Sequence, residues 1–306
     1  MRIFVTGSSG WIGSAVVQEL LVAGHDVVGL ARSDVAASKV EASGATVWRG
    51  DLDDAAGLAR AAEASDGVIH LAFQHEVAWG GDFAAAGAAD RHAVEAMGAA
   101  LAGSGRPLVL ASGLLGLAIG RGATEADGLV PGEIVRANPA GVRAATALLA
   151  LSLRGVGVRS SVVRYAPTVH GDGDHGFVAG LVGAARRHGV AEHVGDGLNR
   201  WPAVHRDDAA RLTRLAVEAA PGGSVLHAVH EEGVPYREIA ETIGRHLGVP
   251  TASIGPEVAV ERFGFVGHFV GADSPASSEI TRELLGWSPV GPGLVEDLEQ
   301  GHYFRA

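Results

Sequence analysis

Cysteine is absent from the 306 residues, which excludes a disulfide framework, cysteine-ligated zinc, an iron–sulfur cluster and a thiol nucleophile. Basic charge is scarce as well. Lys and Arg total 24 against 35 Asp and Glu, a formal net charge of −11 with no basic run. That balance argues against nucleic acid or an anionic membrane as a partner. No uninterrupted apolar stretch approaches the ~20 residues that a bilayer span requires. A strand-like run begins at Arg2 with no apolar export region, so the expectation is a cytoplasmic chain without a signal peptide. Aromatic residues make up only 5%, including three tyrosines, and Lys39 is the single lysine. What remains is ample for folding: 47% hydrophobic and 19% charged residues exclude wholesale disorder. At this length roughly three quarters of the unfolded surface can be buried without a covalent staple.

The first half alternates short β-branched runs with Ala-rich stretches of helical spacing. Strands are predicted at Ile3–Thr6, Asp26–Leu30, Ala45–Arg49, Gly67–Ala72, Pro107–Ser112 and Val158–Tyr165, and helices at 11–23, 54–64, 82–103 and 137–154. Strands that alternate with helices pair in parallel, because each parallel connection needs a crossover element. Six of them make an α/β fold with a doubly wound sheet. Beyond residue 167 the pattern loosens. Gly171-Asp172-Gly173-Asp174-His175-Gly176 is turn chemistry, and a helix follows at 177–188. Asn199–Pro202 reads as loop, 206–219 as helix, and 224–229 as a strand returning to the main sheet. Helices at 235–247 and 276–286 and a Gly/Pro-rich tail at 287–306 complete the chain. No repeat or low-complexity linker interrupts it. The expected division is a nucleotide-binding unit of 1–169 plus about 204–229, carrying a smaller substrate-binding lobe of 170–203 and 230–306.

Thr6-Gly7-Ser8-Ser9-Gly10-Trp11-Ile12-Gly13 links the first strand to the first helix. Gly7 suits the tight turn, Gly10 a close backbone approach to a pyrophosphate, and Gly13 close packing of helix on strand. Backbone N–H groups at the helix start, together with the helix dipole, would hold the phosphates. A turn that merely needs glycine is the alternative. The βαβ context favours the dinucleotide, with Ser9, Trp11 and Ile12 among its contacts.

The TGxxGxxG turn resembles that of the extended short-chain dehydrogenase/reductase superfamily, also called the NAD-dependent epimerase/dehydratase group. Gly50-Asp51-Leu52-Asp53 after the third strand looks like the superfamily's adenine-contacting element. His70-Leu71-Ala72 matches its HLA motif. Ala111-Ser112 falls where its catalytic serine sits. Arg164–Gly171 resembles its RPxxVYG segment, one residue longer, and Val204-His205-Arg206-Asp207-Asp208-Ala209 its VHVDDvA motif. These matches run from residue 2 to about 210. The resemblance implies a Rossmann-type domain, a nicotinamide cofactor, and cofactor contacts from Asp51, Leu52, Leu71, Ala72, Phe73 and Pro167. It also implies that the 204–209 segment packs the lobe on the sheet, with Asp207 a candidate helix N-cap.

At the end of the second strand, where an acidic residue binds the ribose 2′-hydroxyl of NAD, stands Ala31, followed by Arg32 and Ser33. Losing the carboxylate makes room for a 2′-phosphate, and a guanidinium can grip it. NADP(H) is therefore expected over NAD(H), although Asp34 is close enough in sequence to compete for Arg32.

The superfamily's proton donor is a Tyr four residues before a Lys, on the helix after the fifth strand. By register Pro139 stands in the tyrosine's place and Arg143 in the lysine's. This departure resembles the atypical branch of the superfamily. An arginine can hold the ribose hydroxyls but cannot shuttle a proton near neutral pH. Losing general acid catalysis costs ~10²–10⁴-fold unless something replaces it. The candidates for substrate polarisation or protonation are Ser112, Tyr165 and His170, with Arg143 as cofactor anchor. Candidate substrate contacts are Phe73, Ser112, His170, Asp172, His175 and Trp201. The 14 histidines show no HExxH pattern, and no metal site is expected.

Three functions remain open. The leading one is an NADP(H)-dependent oxidoreductase of a small carbonyl, alcohol or related molecule. The others are a non-catalytic NADP(H)-binding sensor and, less favoured, a cofactor-retaining epimerase or isomerase. The Ala-rich helices at 82–103 and 137–154 suit a homodimer.

Overall fold

The computed structural model describes residues 1–118, 121–128 and 139–305, with backbone alone at 139 and 140. The predicted helix start at 137–138 lies outside the described residues. From the N-terminus the chain runs β1 (Arg2–Thr6), α1 (Trp11–Val22), β2 (Asp26–Ala31), α2 (Asp34–Ala42), β3 (Thr46–Arg49), α3 (Ala55–Glu63) and β4 (Gly67–His70). It continues through α4 (His75–Trp79), α5 (Phe83–Leu101), β5 (Pro107–Gly113), α6 (Pro139–Ser152) and β6 (Arg159–Tyr165). Next come β7 (Thr168–His170), α7 (Phe177–His188), β8 (Ala191–Val194), β9 (Arg200–His205), α8 (Arg206–Ala219) and β10 (Ser224–Ala228). The remainder holds β11 (Glu231–Pro235), α9 (Tyr236–Leu247), β12 (Thr251–Ile254), α10 (Ala259–Phe263), α11 (Glu279–Leu285) and α12 (Leu294–Glu299).

Seven parallel strands form the main sheet in the order β10-β6-β5-β4-β1-β2-β3. Strand order reverses between β1 and β4, as a Rossmann-type doubly wound sheet requires. Both faces are covered, which is why the strands are apolar throughout. Ile3, Val5, Ile69, Val109, Val163 and Tyr165 face α1 and α8 in one core cluster. The alternate residues Phe4, Val68, Leu108, Leu110 and Val162 face α3, α5 and α6 in another. Burying each such side chain contributes roughly 1.5–3 kcal/mol.

The rest of the chain adds a three-stranded sheet, β11-β9-β7, and a two-stranded one, β12-β8, around a third core centred on Trp201, Tyr236 and Ile239. Three short helices, α2, α4 and α10, appear where the sequence pattern suggested none. Ser33 caps α2 by accepting the Ala36 N–H at 3.2 Å. The expected loop around 199–202 is instead the start of β9, which pairs with β7 and β11. None of the helices in the described residues is long and apolar enough to cross a membrane.

Candidate active site

The crevice at the switch point is built by the turn between β1 and α1. Gly7 has φ +68°, and a Cβ there would lie 2.8 Å from the Ala72 nitrogen. A Cβ on Gly13 would collide with the Gly7 carbonyl, whereas one on Gly10 would meet nothing but that carbonyl oxygen, at 3.2 Å. Two glycines therefore allow close packing, and the third leaves the approach to α1 open. Gly10 caps α1 with no side-chain hydrogen bond, so the first-turn N–H groups have no side-chain acceptor. This arrangement fits a dinucleotide pyrophosphate. Ser9, Trp11 and Ile12 are partly exposed on its rim. The Trp11 indole donates to the Val169 carbonyl at 2.8 Å, with the Arg206 guanidinium 4.3 Å above its ring.

At the far end of the crevice Ala31 is buried, and Arg32 is exposed and pairs with Glu76 of α4 at 3.2 Å. Asp34, expected to compete for Arg32, is instead bonded to Arg49 at 2.6 Å. Arg49 lies directly across from Ala31 in the β2–β3 register, a second guanidinium that the sequence reading missed. Pairing of consecutive strands was the available signal. Asp51 accepts the backbone N–H groups of Asp53 and Asp54 at 2.9 and 3.2 Å, and Leu52 is buried beneath it.

Toward the other end of the crevice the β4 terminus is tied to β1. Leu71 N–H donates to the Thr6 carbonyl and Ala72 N–H to Thr6 Oγ1, while Thr6 Oγ1 lies 2.6 Å from His70 Nδ1. His70 Nε2 lies 3.2 Å from Asp90 of α5. The carboxylate can only accept, so Nε2 carries the proton and the Thr6 hydroxyl is placed to donate to Nδ1. Burial raises the Asp90 pKa, but hydrogen bonds from His70 and Thr146 and the Arg143 charge outweigh it, and the carboxyl sits below its ordinary value. Asp90 was not singled out from sequence; an acid within the apolar stripe Ala86–Ala89–Ala93–Met97 was the signal.

Arg143 extends from α6 to donate to the Ala111 carbonyl at 2.5 Å, and its guanidinium carbon lies 4.3 Å over the Phe73 ring. Burial draws its pKa below the ordinary arginine value, with Asp90 opposing. Ser112 follows Ala111 at the end of β5, and half-buried Pro167 follows β6. Phe73, Arg143, Ser112 and the HLA backbone thus converge on one strand-end cluster.

Other predicted residues are elsewhere. Tyr165 falls on the alternate face of β6 and points into the α8 layer, where its hydroxyl lies 2.6 Å from Thr213 Oγ1. Burial pushes its phenol above the usual tyrosine range, and its hydroxyl is engaged by Thr213, away from the strand-end cluster. Trp201 is fully buried, donates to the Ala272 carbonyl at 3.2 Å and packs edge-on against Tyr236; it is a core residue and not a substrate contact. His170 does not face an open cleft. It is fully buried, with Nδ1 2.9 Å from Asp297 Oδ2 and its ring against His205. Asp172 is exposed near Arg305 at 3.8 Å, and His175 lies edge-on to Trp11 over the start of α1. His205, and not Asp207, caps α8, accepting the Asp207 N–H at 3.3 Å.

Sheet, turn and strand-end cluster together define a Rossmann-type dinucleotide-binding architecture. The NAD dependent epimerase/dehydratase family model matches residues 3–104. An uncharacterized protein of Schizosaccharomyces pombe is 43% identical over 305 residues, 99% of this chain and 100% of its own length. The 2-alkyl-3-oxoalkanoate reductase of Stenotrophomonas maltophilia is 28% identical over 260 residues, covering 82% of this chain and 77% of that protein. Among solved structures, UDP-glucuronic acid 4-epimerase from Bacillus cereus, in complex with UDP-glucuronic acid and NAD, aligns with TM-score 0.77 at 19% identity. That alignment covers 99% of this chain and 98% of the epimerase. The chain belongs to the NAD dependent epimerase/dehydratase family.

Proposed function

We propose that the protein is an NADP(H)-dependent oxidoreductase that interconverts a small, activated carbonyl compound and its alcohol without a catalytic tyrosine. One observation carries this reading: none of the three tyrosines serves the strand-end cluster. Tyr165 is bonded to Thr213, Tyr236 is buried in the lobe core, and Tyr303 accepts the Gly171 N–H and donates to Asp174. Arg143 occupies the lysine's place instead. When bound, the cofactor supplies or accepts the hydride. The guanidinium of Arg143 binds ribose hydroxyls, and the Ser112 hydroxyl donates to the carbonyl oxygen. With His170 and Tyr165 buried elsewhere, the proton for that oxygen comes from water. A carbonyl already polarised by its substituents needs little further acid assistance.

The coenzyme preference rests on Arg32 and Arg49, which flank the position left by the absent acid. In fluorescence titrations NADPH is expected to bind at least tenfold more tightly than NADH, since a charge-assisted bond contributes roughly 1.5–3 kcal/mol. Arg32→Ala should erase most of that difference and leave NADH unaffected. Glu76→Gln should strengthen NADPH binding by releasing Arg32 from its carboxylate. Equal or tighter NADH binding by the wild type would overturn the preference. NADPH binding with no turnover of any activated carbonyl would instead assign the chain to cofactor sensing, a role the missing tyrosine also permits.

A further inference from the structure

A continuous series of aromatic contacts leads from the strand-end cluster into the lobe. Arg143 stacks on Phe73, Phe73 lies 5.2 Å from His75, and His75 lies 5.1 Å from Trp79. Trp79 then meets Phe265, in the turn after α10, with ring centroids 5.6 Å apart. Phe265 contacts Phe83, Phe177 and Phe269 at 6.0, 6.4 and 5.3 Å. In a protein with only 5% aromatic residues this concentration is not incidental. Along the series Phe73 is half-buried, Trp79 is 54% exposed, Phe265 and Phe177 are half-buried, and Trp201, which backs Phe177, is fully buried. The turn presenting Phe265 is firmly held: Gly264 adopts φ +62°, and a Cβ on Gly267 would strike the Ala259–Val260 backbone.

We infer that this aromatic wall selects the substrate, and that the substrate is an aryl-substituted carbonyl compound whose ring packs against Trp79 and Phe265 while its carbonyl faces Ser112 and Arg143. The inference rests on the reductase reading and specifies its substrate class. Stacked and edge-to-face partners are what a flat apolar substituent prefers.

The test compares two activated 1,2-diketones, 1-phenyl-1,2-propanedione and 2,3-butanedione, with NADPH. In each, hydride adds to one carbonyl carbon and a proton to its oxygen, giving a hydroxyketone and NADP⁺. The wild type should favour the phenyl compound by at least tenfold in kcat/KM, and Trp79→Ala should cut that ratio about tenfold through KM. NADPH Kd should stay unchanged. Phe265→Leu, which keeps apolar volume but removes the ring, should lower the ratio in the same direction and serves as a second variant if Trp79→Ala fails to fold. Equal kcat/KM for the two diketones, or a Trp79→Ala ratio like the wild type's, would overturn the inference. If neither diketone turns over, quenching of bound NADPH emission by 1-phenyl-1,2-propanedione separates the two claims. Quenching that Trp79→Ala weakens supports the wall and sinks only the reductase reading. NADPH binding without diketone binding sinks the wall.

Discussion

His227 illustrates how a single buried side chain can set the acid limit of the fold. It is wholly buried on β10, with Nδ1 2.8 Å from the Ser277 carbonyl and Nε2 3.4 Å from Arg164. Burial draws its pKa down from 6.5 to about 4; Arg164 adds to the effect, while Glu125 and Asp127 oppose it. The ring is therefore neutral in the folded protein, with Nδ1–H donating to the carbonyl and Nε2 accepting. Above pH 6.5 neither the folded nor the unfolded state protonates it, and it contributes no pH dependence. Below pH 6.5 the unfolded chain takes up a proton that the folded one refuses, so stability falls as pH falls, until the folded ring titrates near pH 4. The slope is about 1.4 kcal/mol per pH unit, summing to roughly 3 kcal/mol over that window. Thermal melts of wild type and His227→Gln at pH 7, 6, 5 and 4.5 check this. The variant should start lower and lose less on acidification, and parallel curves would clear His227 of the effect.

Among the elements, α1 has the narrowest tolerance, because its first turn must lie close to β1 and still leave its N–H groups open. Gly13→Ala places a Cβ against the Gly7 carbonyl, a contact with backbone that no rotamer change relieves. The helix must then move off the sheet at a cost of about 1–3 kcal/mol. NADPH affinity should drop at least tenfold with the far-UV circular dichroism preserved, and a variant that binds like the wild type would refute this role for the turn. This element was legible in the sequence because its requirements are local: three glycines at fixed spacing between a strand and a helix. The strand-end motifs around His70, Ser112 and Asp51 were legible for the same reason. Tyr165 was misplaced because its face depends on strand parity: with Val163 it lies in the cluster under α1 and α8, whereas the alternate residue Val162 lies in the cluster under α3, α5 and α6. Asp90, Arg49 and the Trp79–Phe265 contact depend on which distant elements meet, and no local pattern reports that. Asp208 is similar. From α8 it accepts the Val290 and Gly291 N–H groups at 3.0 and 2.7 Å and pairs with Arg211, fastening the Gly/Pro-rich tail whose expected loop-plus-helix form the structure shows at α12.

For the whole molecule, α5 and α6 form an outer layer with two duties. Their inner faces carry Asp90, bonded to His70, and Arg143, bonded to the Ala111 carbonyl, at the strand-end cluster. On α5, Ala84, Ala85 and Ala88 are exposed in the first two turns, ahead of the exposed Arg91–Glu95 ion pair. That small-residue stretch leaves room for close approach of a second helix. The proposal is that a twofold mate packs there, in an isologous contact of α5 and α6 with their own copies. Light scattering should then give twice 31.1 kDa, and Ala88→Arg should shift the mass toward the monomer. The arrangement has a kinetic consequence too. A mate on the outer faces braces the helices that hold Asp90 and Arg143, so dilution through dissociation should lower turnover per chain together with the mass. A mass of 31.1 kDa at every concentration would remove the dimer, and a constant turnover per chain across a demonstrated dissociation would show that the site is complete within one chain.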